Sequence, residues 1–330
     1  MTFLRWGLLS TARINRAIIP PLRASARNRV TAVASRDQAT GEAYAREWNI
    51  ARVHGSYEAL LADPDIDVVY ISLPNHLHVE WARRALLAGK HVLCEKPLAL
   101  RPAEVDQLAE TARQTGRVVT EAFMYRHHPQ TLKIKELAAG GAIGELRLIT
   151  GTFSFTLTRP QDVRLNPEWG GGALWDVGCY PVSFARWVAG AEPEVVFGQQ
   201  VTGRSGIDEL FLGQLQFPGQ VHARFDCAFC LPYRAHLEVV GTTGSLEVTQ
   251  PFKPGAPAAF TLRQGDQTET ITVPGPDDLY LGEVEDLADA VLLGRPPRIS
   301  LAESRGNAAA LAALLDSARR GQPVRVPAAA

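Results

Sequence analysis

The chain has 330 residues, of which 46% are hydrophobic and 21% charged, the composition of an ordinary globular protein. Its length favours two domains over one. The formal net charge of -1 gives no broad cationic field, so nucleic acid and anionic membrane surfaces are excluded as expected partners. Four cysteines in a chain of this length do not make a disulfide scaffold. A small-molecule partner fits these properties better.

The N-terminal stretch Met1–Leu9 predicts a first β-strand rather than a targeting segment. Arg5 interrupts its apolar run, and no apolar h-region precedes a cleavage site. Elsewhere no run approaches the ~18 apolar residues of a membrane-spanning helix. We therefore expect a cytoplasmic protein.

From residue 2 to about residue 122, short apolar runs alternate with segments of helical periodicity. The predicted strands are Phe3–Leu9, Val30–Ala34, Val68–Leu73, Val92–Cys94 and Val118–Glu121. The predicted helices are Ala12–Ala24, Asp37–Trp48, Tyr57–Ala62, Asn75–Ala88 and Pro102–Thr115. This alternation, with nearly continuous Val/Ile/Leu strands, predicts a doubly wound parallel sheet of the Rossmann type over residues 1–122.

After Phe123 the pattern changes to short strands joined by turns, which is typical of a mostly antiparallel sheet. The predicted strands are Glu145–Leu157, Glu194–Val201, Glu209–Phe217, Val221–Phe229, His236–Val240, Ser245–Val248, Phe260–Arg263 and Thr268–Val273. The predicted helices are Pro129–Ala139, Ala173–Ala189, Gly282–Leu293 and Leu301–Arg320. The last two helices would cover a sheet face or return to the first domain.

The predicted fold class is therefore α/β, with an N-terminal Rossmann doubly wound parallel sheet. A C-terminal α+β domain, residues 123–330, follows on a large, mostly antiparallel open sheet. A large sheet that is covered on one side leaves its other side free for a partner. We therefore expect a homodimer through the C-terminal sheet.

The stretch His91–Pro97 holds the first candidate catalytic residue. An apolar run beginning at Val92 ends in Glu95, Lys96 and Pro97, and proline cannot continue the hydrogen-bond ladder of a strand. Ligands of parallel α/β sheets bind at the carboxyl ends of strands, so Lys96 is expected at the mouth of a ligand site. A surface salt bridge at a loop is the alternative interpretation of these residues alone.

The first strand-turn-helix carries a degenerate form of the dinucleotide-binding motif G-x-G-x-x-G. Gly7, Leu9 and Ala12 stand at its three glycine positions. Leu9 adds a side chain where a pyrophosphate needs close approach of the backbone. The amides of Thr11, Ala12 and Arg13 still open a helix whose N-terminus favours anions. This motif alone leaves dinucleotide binding undecided.

The end of the second strand indicates NADP rather than NAD. A carboxylate at this place would hydrogen-bond the ribose 2′-hydroxyl of NAD, whereas an arginine accommodates the 2′-phosphate of NADP. Ser35 and Arg36 take the place of the acid, and a guanidinium binds a phosphate through paired donors. Asp37 keeps the NAD alternative open, although we interpret it as the N-cap of the next helix.

Together these motifs resemble the Gfo/Idh/MocA oxidoreductase family, which includes glucose-fructose oxidoreductase and inositol dehydrogenase. The matching segments are the strand-turn-helix at Gly7, Ser35-Arg36, Ser72-Leu73-Pro74-Asn75 with His78, Glu95-Lys96-Pro97, the segment 121–126 and the segment 170–181. Tyr125 with the run from Asp176 to Tyr180 most resembles the branch of NADP-dependent D-xylose dehydrogenases and dimeric dihydrodiol dehydrogenases. Many family members carry histidine where Tyr180 stands, and Ser10 replaces a common glycine.

This resemblance and the residue chemistry together imply a set of site residues. The cofactor-binding residues are Ser10, Thr11, Ala12, Arg13, Ile14, Ser35, Arg36, Leu73, Pro74, Asn75, His78, Glu95 and Lys96. The catalytic residues are Lys96, Asp176 and Tyr180, and the resemblance implies that Tyr180 is the proton donor or acceptor. The substrate-binding residues are Tyr125, Phe155, Trp169, Asp176, Tyr180 and Tyr280. Aromatic faces suit a sugar ring or an arene diol, and core packing is the alternative for each of them.

A tyrosine base needs assistance at neutral pH, since its reference pKa of about 10 is roughly 3 units too high, equivalent to about 4 kcal/mol. Lys96 within a few Å of Tyr180 would favour the phenolate and polarise the substrate oxygen. Asp176 precedes Tyr180 by four residues and shares its helical face, where it can orient a hydroxyl or hold Lys96 protonated. Gly178 and Pro181 predict a kink in this helix.

Two further groups of residues are interpreted as structural or solvated. Cys227 and Cys230 resemble half of a zinc site, but no second pair follows and positions three apart on a strand face opposite ways. We expect no metal. Arg159 and Arg164, in the loop before the glycine run, are interpreted as solvated surface charges rather than substrate-binding groups.

The predicted function is that of an NADP(H)-dependent oxidoreductase that acts on a small-molecule sugar, polyol or diol. The alternative is an NADP(H)-binding sensor that keeps the fold and has lost the chemistry. A sensor has no need of Lys96, Asp176 and Tyr180 together, so the residues favour the enzyme.

Overall fold

The computed structural model describes residues 3–327 of the chain. Contacts between residues group the chain into two compact units. The first unit runs to Met124 and also takes up Tyr280–Arg305. The second unit consists of Tyr125–Leu279 and the chain from Gly306 onward.

The elements alternate regularly in the first part of the chain and are mainly strands in the second. In chain order the strands are β1 (Leu4–Leu9), β2 (Asn28–Ala34), β3 (Arg52–His54), β4 (Val68–Ile71), β5 (His91–Glu95), β6 (Val119–Ala122), β7 (Leu146–Ser154), β8 (Val195–Thr202), β9 (Asp208–Gln216), β10 (His222–Ala228), β11 (Arg234–Gly241), β12 (Gly244–Val248), β13 (Ala258–Gln264), β14 (Gln267–Val273) and β15 (Val324–Arg325). The helices are α1 (Asn15–Ala24), α2 (Gln38–Glu47), α3 (Tyr57–Ala62), α4 (His78–Leu87), α5 (Pro102–Thr115), α6 (Pro129–Ala139), α7 (Cys179–Ala189), α8 (Leu281–Leu293) and α9 (Leu301–Arg320). A π-helical turn, Leu174–Gly178, runs directly into α7. Within residues 3–327, none of the helices combines the length and apolarity needed to cross a membrane.

Six strands of the first unit form one parallel sheet. Their order across the sheet is β3-β2-β1-β4-β5-β6, so the winding direction reverses between β1 and β4. Such a reversal is the topological switch point at which doubly wound sheets bind ligands, outside the carboxyl ends of the strands. The predicted Rossmann sheet is confirmed.

The segment Tyr280–Arg305 joins the first unit because α8 supplies apolar side chains to its core. Val284 and Leu287 of α8 are buried in the same cluster as Ile18 and Leu22 of α1. The sequence predicts one boundary after residue 122, whereas the contacts return this later segment to the first unit. Packing between segments so far apart in the chain has no local sequence signature, so the change of pattern near residue 122 does not indicate that α8 packs on the first unit.

The second unit is built on a nine-stranded sheet in the order β14-β13-β12-β11-β7-β10-β9-β8-β15. The strands β7 and β10 pair in parallel, and the other neighbours pair antiparallel. The predicted mostly antiparallel sheet is confirmed. Parallel pairing of β7 with β10 places the helical segment between them in the sequence over one face of the sheet.

The two faces of this sheet differ in their side chains. Phe211, Leu215 and Phe225 are buried on the inner face, whereas Leu212 is 45% exposed on the outer face. Gly151 of β7 lets the helical segment approach the inner face, because a Cβ there would lie 2.7 Å from the Cβ of Pro181. The outer face carries a shallow groove lined by Thr150, Thr152, Phe197, Gln199, Leu212 and Arg224.

The sequence-based prediction lacks two strands, β3 and β15. They have three and two residues, so neither is long enough to show a hydrophobic period. Each is an edge of its sheet, β3 beside β2 and β15 beside β8. They exist because a neighbouring strand offers a free row of amides and carbonyls.

Candidate active site

The loop that follows β1 is held by Ser10, the first of the predicted cofactor-binding residues. Its backbone has a φ of 130°, a conformation that glycine enters freely and other residues rarely adopt. Ser10 Oγ accepts a hydrogen bond from the amide of Ala12 (3.1 Å) and lies 2.9 Å from Ser72 Oγ, just beyond β4. Ser10 thus has a backbone conformation typical of glycine, while its hydroxyl links the loop after β1 to the loop after β4.

Asn15, which the sequence-based site omits, completes this network. It is fully buried, its Nδ2 donates to the carbonyl of Ser10 (2.8 Å), and its Oδ1 accepts from Ser72 Oγ (2.6 Å). The other predicted residues of the loop are half-buried or exposed, namely Thr11, Ala12, Arg13 and Ile14. The loop at the switch point is therefore held by the buried side-chain amide of Asn15 and by the hydroxyls of Ser10 and Ser72.

Ser35, Arg36 and Asp37 follow β2. Ser35 is buried, and its hydroxyl accepts from the amide of Asp37 (3.2 Å). The carboxylate of Asp37 caps α2 by accepting from the amide of Thr40 (2.8 Å), which confirms its interpretation as an N-cap. The hydroxyl and amide of Thr40 lower the pKa of Asp37. The Oδ1 of Asp37 therefore serves the helix, and Arg36 and Asp37 are both exposed at this strand end.

The turn after β5 carries Lys96, which is half-buried and joined to Pro97 by a cis peptide bond. Glu95 accepts a hydrogen bond from the hydroxyl of Tyr70, a fully buried residue of β4. Beyond the turn, the amide of Leu98 donates to Glu121 Oε1 of β6 (2.9 Å). The chain on both sides of Lys96 is therefore tied to the two strands that flank β5.

His78 braces two of the loops at the carboxyl end of the sheet. The ring is fully buried, with Nδ1 2.8 Å from the carbonyl oxygen of Pro97 and Nε2 2.7 Å from that of Leu73. Burial lowers the pKa of His78. Both partners are carbonyl oxygens, so each contact is a hydrogen bond donated by the ring when that nitrogen carries a proton. Leu73 is buried and Pro74 and Asn75 are half-buried in the loop that His78 contacts.

Asp176 and Tyr180 lie on the helical segment formed by the π-helical turn and α7. The loop ahead of this segment folds back on itself at Gly171. A Cβ at this position would lie 2.4 Å from the backbone carbonyl oxygen of Arg164, so only glycine allows this close approach. The predicted kink near Gly178 and Pro181 takes the form of the π-helical turn. A π turn shifts the hydrogen-bond register, which accommodates a proline that has no N–H to donate.

Arg164 binds Asp176 directly. Arg164 Nε donates to Asp176 Oδ2 at 2.7 Å, and its NH1 lies 3.1 Å from Asp162 Oδ1. The carboxylates of Asp176 and Asp162 raise the pKa of Arg164. The interpretation of Arg164 as a solvated charge is wrong, because a loop that folds back brings it onto two carboxylates. Arg159, which pairs with Asp162 at 2.6 Å, is 53% exposed and fits that interpretation better.

Tyr180 lies in a cluster of four rings, Tyr125, Phe153, Tyr180 and Phe252, which we name the Tyr180 cluster. The ring centroid of Tyr180 is 5.5 Å from that of Tyr125, 5.3 Å from that of Phe153 and 5.3 Å from that of Phe252. The hydroxyl of Tyr125 also donates to the carbonyl of Tyr180 (3.3 Å). Sequence reasoning missed Phe153 and Phe252, and only the strand alternation of β7 could have indicated the first.

Three other predicted substrate residues lie outside this cluster. Phe155 follows β7, and its ring pairs with that of Phe229 at 5.3 Å. Trp169 is 40% exposed in the loop before the glycine run. Tyr280 is partly buried against the core of the first unit. Lys96 also belongs to the first unit, whereas Asp176 and Tyr180 belong to the second.

Asp208, the first residue of β9, is a buried carboxylate that sequence reasoning also missed. Only 4% of the residue is exposed, and its Oδ2 accepts from the amide of Leu174 at 2.7 Å. Burial raises the pKa of Asp208 to about 7, and backbone amides, including that of Leu174, oppose the shift. Its place in the sequence, at the start of a strand, carries no sign of this contact.

Comparison with known families supports the same two-part organisation. Residues 4–123 match the profile of an oxidoreductase family with an NAD-binding Rossmann fold, GFO_IDH_MocA. Residues 131–247 match the GFO/IDH/MocA C-terminal domain. The two matches follow each other along the chain and cover most of it.

Individual proteins resemble the chain over nearly its whole length. An uncharacterized oxidoreductase of Rhizobium meliloti is 41% identical over 97% of this chain and 98% of its own. D-xylose 1-dehydrogenase (NADP(+)) 2 of Haloferax volcanii is 38% identical over 97% of this chain and 99% of its own. The crystal structure of KijD10, a 3-ketoreductase from Actinomadura kijaniata in complex with NADP and TDP-benzene, superposes with a TM-score of 0.89 at 32% identity, covering 97% of this chain and 98% of that one. This chain belongs to the GFO/IDH/MocA family of oxidoreductases.

Proposed function

We propose that this protein is an NADP(H)-dependent oxidoreductase that interconverts a CH–OH group and a carbonyl group of a sugar, polyol or diol, as a D-xylose 1-dehydrogenase or a dihydrodiol dehydrogenase does. The observation that carries the proposal is that one chain contains both a Rossmann sheet, whose β5 leads into Lys96, and a helical segment that bears Asp176 and Tyr180. A relative named as an NADP-dependent D-xylose dehydrogenase supports the substrate class.

NADP is proposed as the cofactor because of the residues after β2. Asp37 caps α2 through its Oδ1, which gives this acid a structural role beside any contact with a ribose 2′-hydroxyl. Arg36 is exposed at the same strand end and suits a 2′-phosphate through its paired donors. Ser10 has a positive φ of 130°, a backbone conformation that glycines supply in tight turns. These features of the chain fit the cofactor.

All of the proposed cofactor contacts come from residues at or just beyond the carboxyl ends of β1, β2, β4 and β5. They are Ser10, Thr11, Ala12, Arg13, Ile14, Ser35, Arg36, Leu73, Pro74, Asn75, His78, Glu95 and Lys96. His78 would act here chiefly by holding the loops at Leu73 and Pro97, since both of its ring nitrogens contact their carbonyl oxygens.

When bound, the nicotinamide exchanges a hydride with the carbinol carbon, and the protein handles the proton. Tyr180 is proposed as the group that accepts the hydroxyl proton in oxidation and returns it in reduction. Lys96 is proposed to assist it, because a nearby cation favours a phenolate and also polarises the substrate oxygen. Asp176, held by Arg164 at 2.7 Å, is proposed to accept a hydrogen bond from a substrate hydroxyl. Tyr125, Phe155, Trp169 and Tyr280 are proposed to complete the substrate site.

The protein is further proposed to form a homodimer through the outer face of the nine-stranded sheet. Val201 and Leu212 are 57% and 45% exposed on strands of this sheet, and the groove there is lined by both polar and apolar side chains. Burying such a face removes apolar surface from water. The cytoplasmic location expected from the sequence stays a prediction.

A panel of aldoses, polyols and dihydrodiols with NADP⁺, followed by absorbance, tests the proposed activity. Tyr180→Phe and Lys96→Ala should each lower turnover at least ~100-fold on the substrate found, because each removes a part of the proton-transfer unit. Mild effects of both substitutions would reject this pair. Tight NADP(H) binding with no turnover across the panel would favour the sensor alternative.

A further inference from the structure

Asp208 supports the start of the helical segment that carries Asp176 and Tyr180. The segment begins with the π-helical turn, and the first amides of a helix have no partner inside it. Asp208 Oδ2 accepts from the amide of Leu174 at 2.7 Å, and the amide of Ala173 is close enough to oppose the rise in the pKa of Asp208. The cap therefore comes from a neighbouring strand rather than from the residue that precedes the helix.

Gly172 makes this contact sterically feasible. Its φ is 122°, and a Cβ at this position would lie 2.0 Å from Asp208 Oδ1. The carboxylate thus occupies the space that any other side chain would fill. Burial of Asp208, at 4% exposure, keeps water from replacing it as the acceptor.

We propose that Asp208 is a positioning residue for the reaction, whose buried carboxyl group holds the first turn of this helical segment and thereby fixes where Asp176 and Tyr180 stand. This proposal rests on the proposed function of those two residues. A carboxylate at a helix N-terminus both satisfies amides and complements the positive end of the helix dipole. Displacement of a reacting group by about 1 Å can cost ~100-fold in rate, so a modest shift of this turn is enough to matter.

Ionisation of Asp208 weakens the hold on this turn, because burial makes the protonated carboxyl group the more stable form in the folded protein. A protonated carboxyl group keeps one oxygen that accepts from the amide of Leu174, whereas the ionised group is a buried charge. Burial raises the pKa of Asp208 to about 7, so this change falls near neutral pH. The other titratable groups of this region are Asp176 and Cys179 on the helical segment and Cys227 and Asp226 on β10. Burial raises the pKa of Cys227, and the negative charges of Asp208, Asp226, Cys179 and Asp176 raise it further.

The test is Asp208→Asn, which keeps the shape and resembles the protonated carboxyl group. Turnover of wild type and variant is compared at about pH 5.5 and about pH 8.5, on either side of the pKa. We expect the ratio of variant turnover to wild-type turnover to be near 1 at the low pH and roughly 10-fold to 100-fold at the high pH, where wild type carries the buried charge. The Kd for NADP(H) should not change, because the cofactor-binding residues belong to the first unit. Ratios that do not vary with pH would reject the proposal, since a merely structural role gives a constant deficit.

The matched control is Asp316→Asn on α9. Asp316 is a carboxylate of the second unit that pairs with Arg320 at 2.8 Å and is 31% exposed. Its turnover ratio to wild type should stay near 1 at both pH values. If Asp208→Asn does not fold, Asp208→Ser, a shorter neutral acceptor, replaces it in the same comparison.

Amide hydrogen exchange separates this proposal from the proposed function, because it needs no substrate. After correction for the intrinsic effect of pH, wild type and Asp208→Asn should exchange equally fast over the segment 173–180 at low pH. At high pH wild type should exchange faster than the variant, because ionisation of a buried carboxyl group favours opening. That result without any turnover would reject the proposed function alone. Equal exchange at both pH values would reject Asp208 as the residue that holds this turn.

Discussion

Phe252 is the ring that supports Tyr180 from outside any helix or strand, and its truncation gives a sharp prediction. Phe252 is fully buried, and its centroid lies 5.5 Å from Tyr125, 5.0 Å from Phe153 and 5.3 Å from Tyr180. Phe252→Ala removes all three ring pairs, each contributing about 0.5–1.5 kcal/mol, together with the burial of the side chain. The total cost should be about 3–5 kcal/mol of unfolding free energy, the usual range for a buried phenylalanine.

Turnover should fall as well, because Tyr180 loses a neighbour that restricts its ring. We expect a decrease of roughly 10-fold or more with the Kd for NADP(H) unchanged. Phe252→Leu, which keeps much of the apolar volume, should cost about 1.5 kcal/mol and leave most of the activity. Urea unfolding followed by tryptophan fluorescence gives the free energies, and steady-state kinetics on the substrate found gives turnover.

The control for this prediction is Phe260→Ala. Phe260 is a buried ring of β13 at 3% exposure, in the same unit and outside the Tyr180 cluster. It should lose a similar free energy of unfolding and keep normal turnover. A cost below about 1 kcal/mol for Phe252→Ala, or a turnover no lower than that of Phe260→Ala, would contradict a supporting role of Phe252 for Tyr180.

Three further predictions concern a buried charge, a strained loop and an ion pair. Burial raises the pKa of Asp208 from 3.8 to about 7, so from about pH 4 to about pH 7 wild type should lose up to roughly 4 kcal/mol of stability relative to Asp208→Asn. The loss accompanies ionisation of the buried group, and a pH-independent difference in urea unfolding would contradict it. At Ser10, with its φ of 130°, the glycine variant should be more stable than the alanine variant by about 1 kcal/mol, since both lose the hydroxyl but only alanine keeps the strain. Equal unfolding midpoints would disprove that. Arg164→Met should raise the KM for the sugar or diol at least roughly 10-fold and leave the Kd for NADP(H) unchanged, because Asp176 loses its charged partner. Arg159→Met, at an exposed arginine, is its control, and equal KM values for the two variants would count against a role of Arg164 in the site.

Much of the candidate site was predictable because its parts are local in the sequence. Lys96 follows a strand, and a proline marks where that strand ends. Asp176 and Tyr180 share a helix face by their spacing alone, and Asp37 was recognisable as a cap. The choice of Tyr180 as the proton-transfer residue came from the family resemblance, since nothing in the spacing distinguishes it from a packed tyrosine.

The residues that sequence reasoning missed are those whose role depends on distant partners. Asn15 joins Ser10 to Ser72, which is 57 residues away from it in the chain. Asp208 caps a helical segment that begins 34 residues earlier. Such contacts have no periodicity or motif, so only the folded chain reveals them.

The sequence by itself determined the elements, because hydrophobic period, caps and prolines act within one turn or a few residues. The helices Pro102–Thr115, Pro129–Ala139 and Leu301–Arg320 begin and end where the pattern predicts. Only the tertiary structure decided that α8 joins the Rossmann unit, that β3 and β15 form, and that Arg164 binds Asp176. Each of these depends on surfaces or charges that meet after the chain has folded, and their free energy is set by packing and burial rather than by neighbours in the sequence.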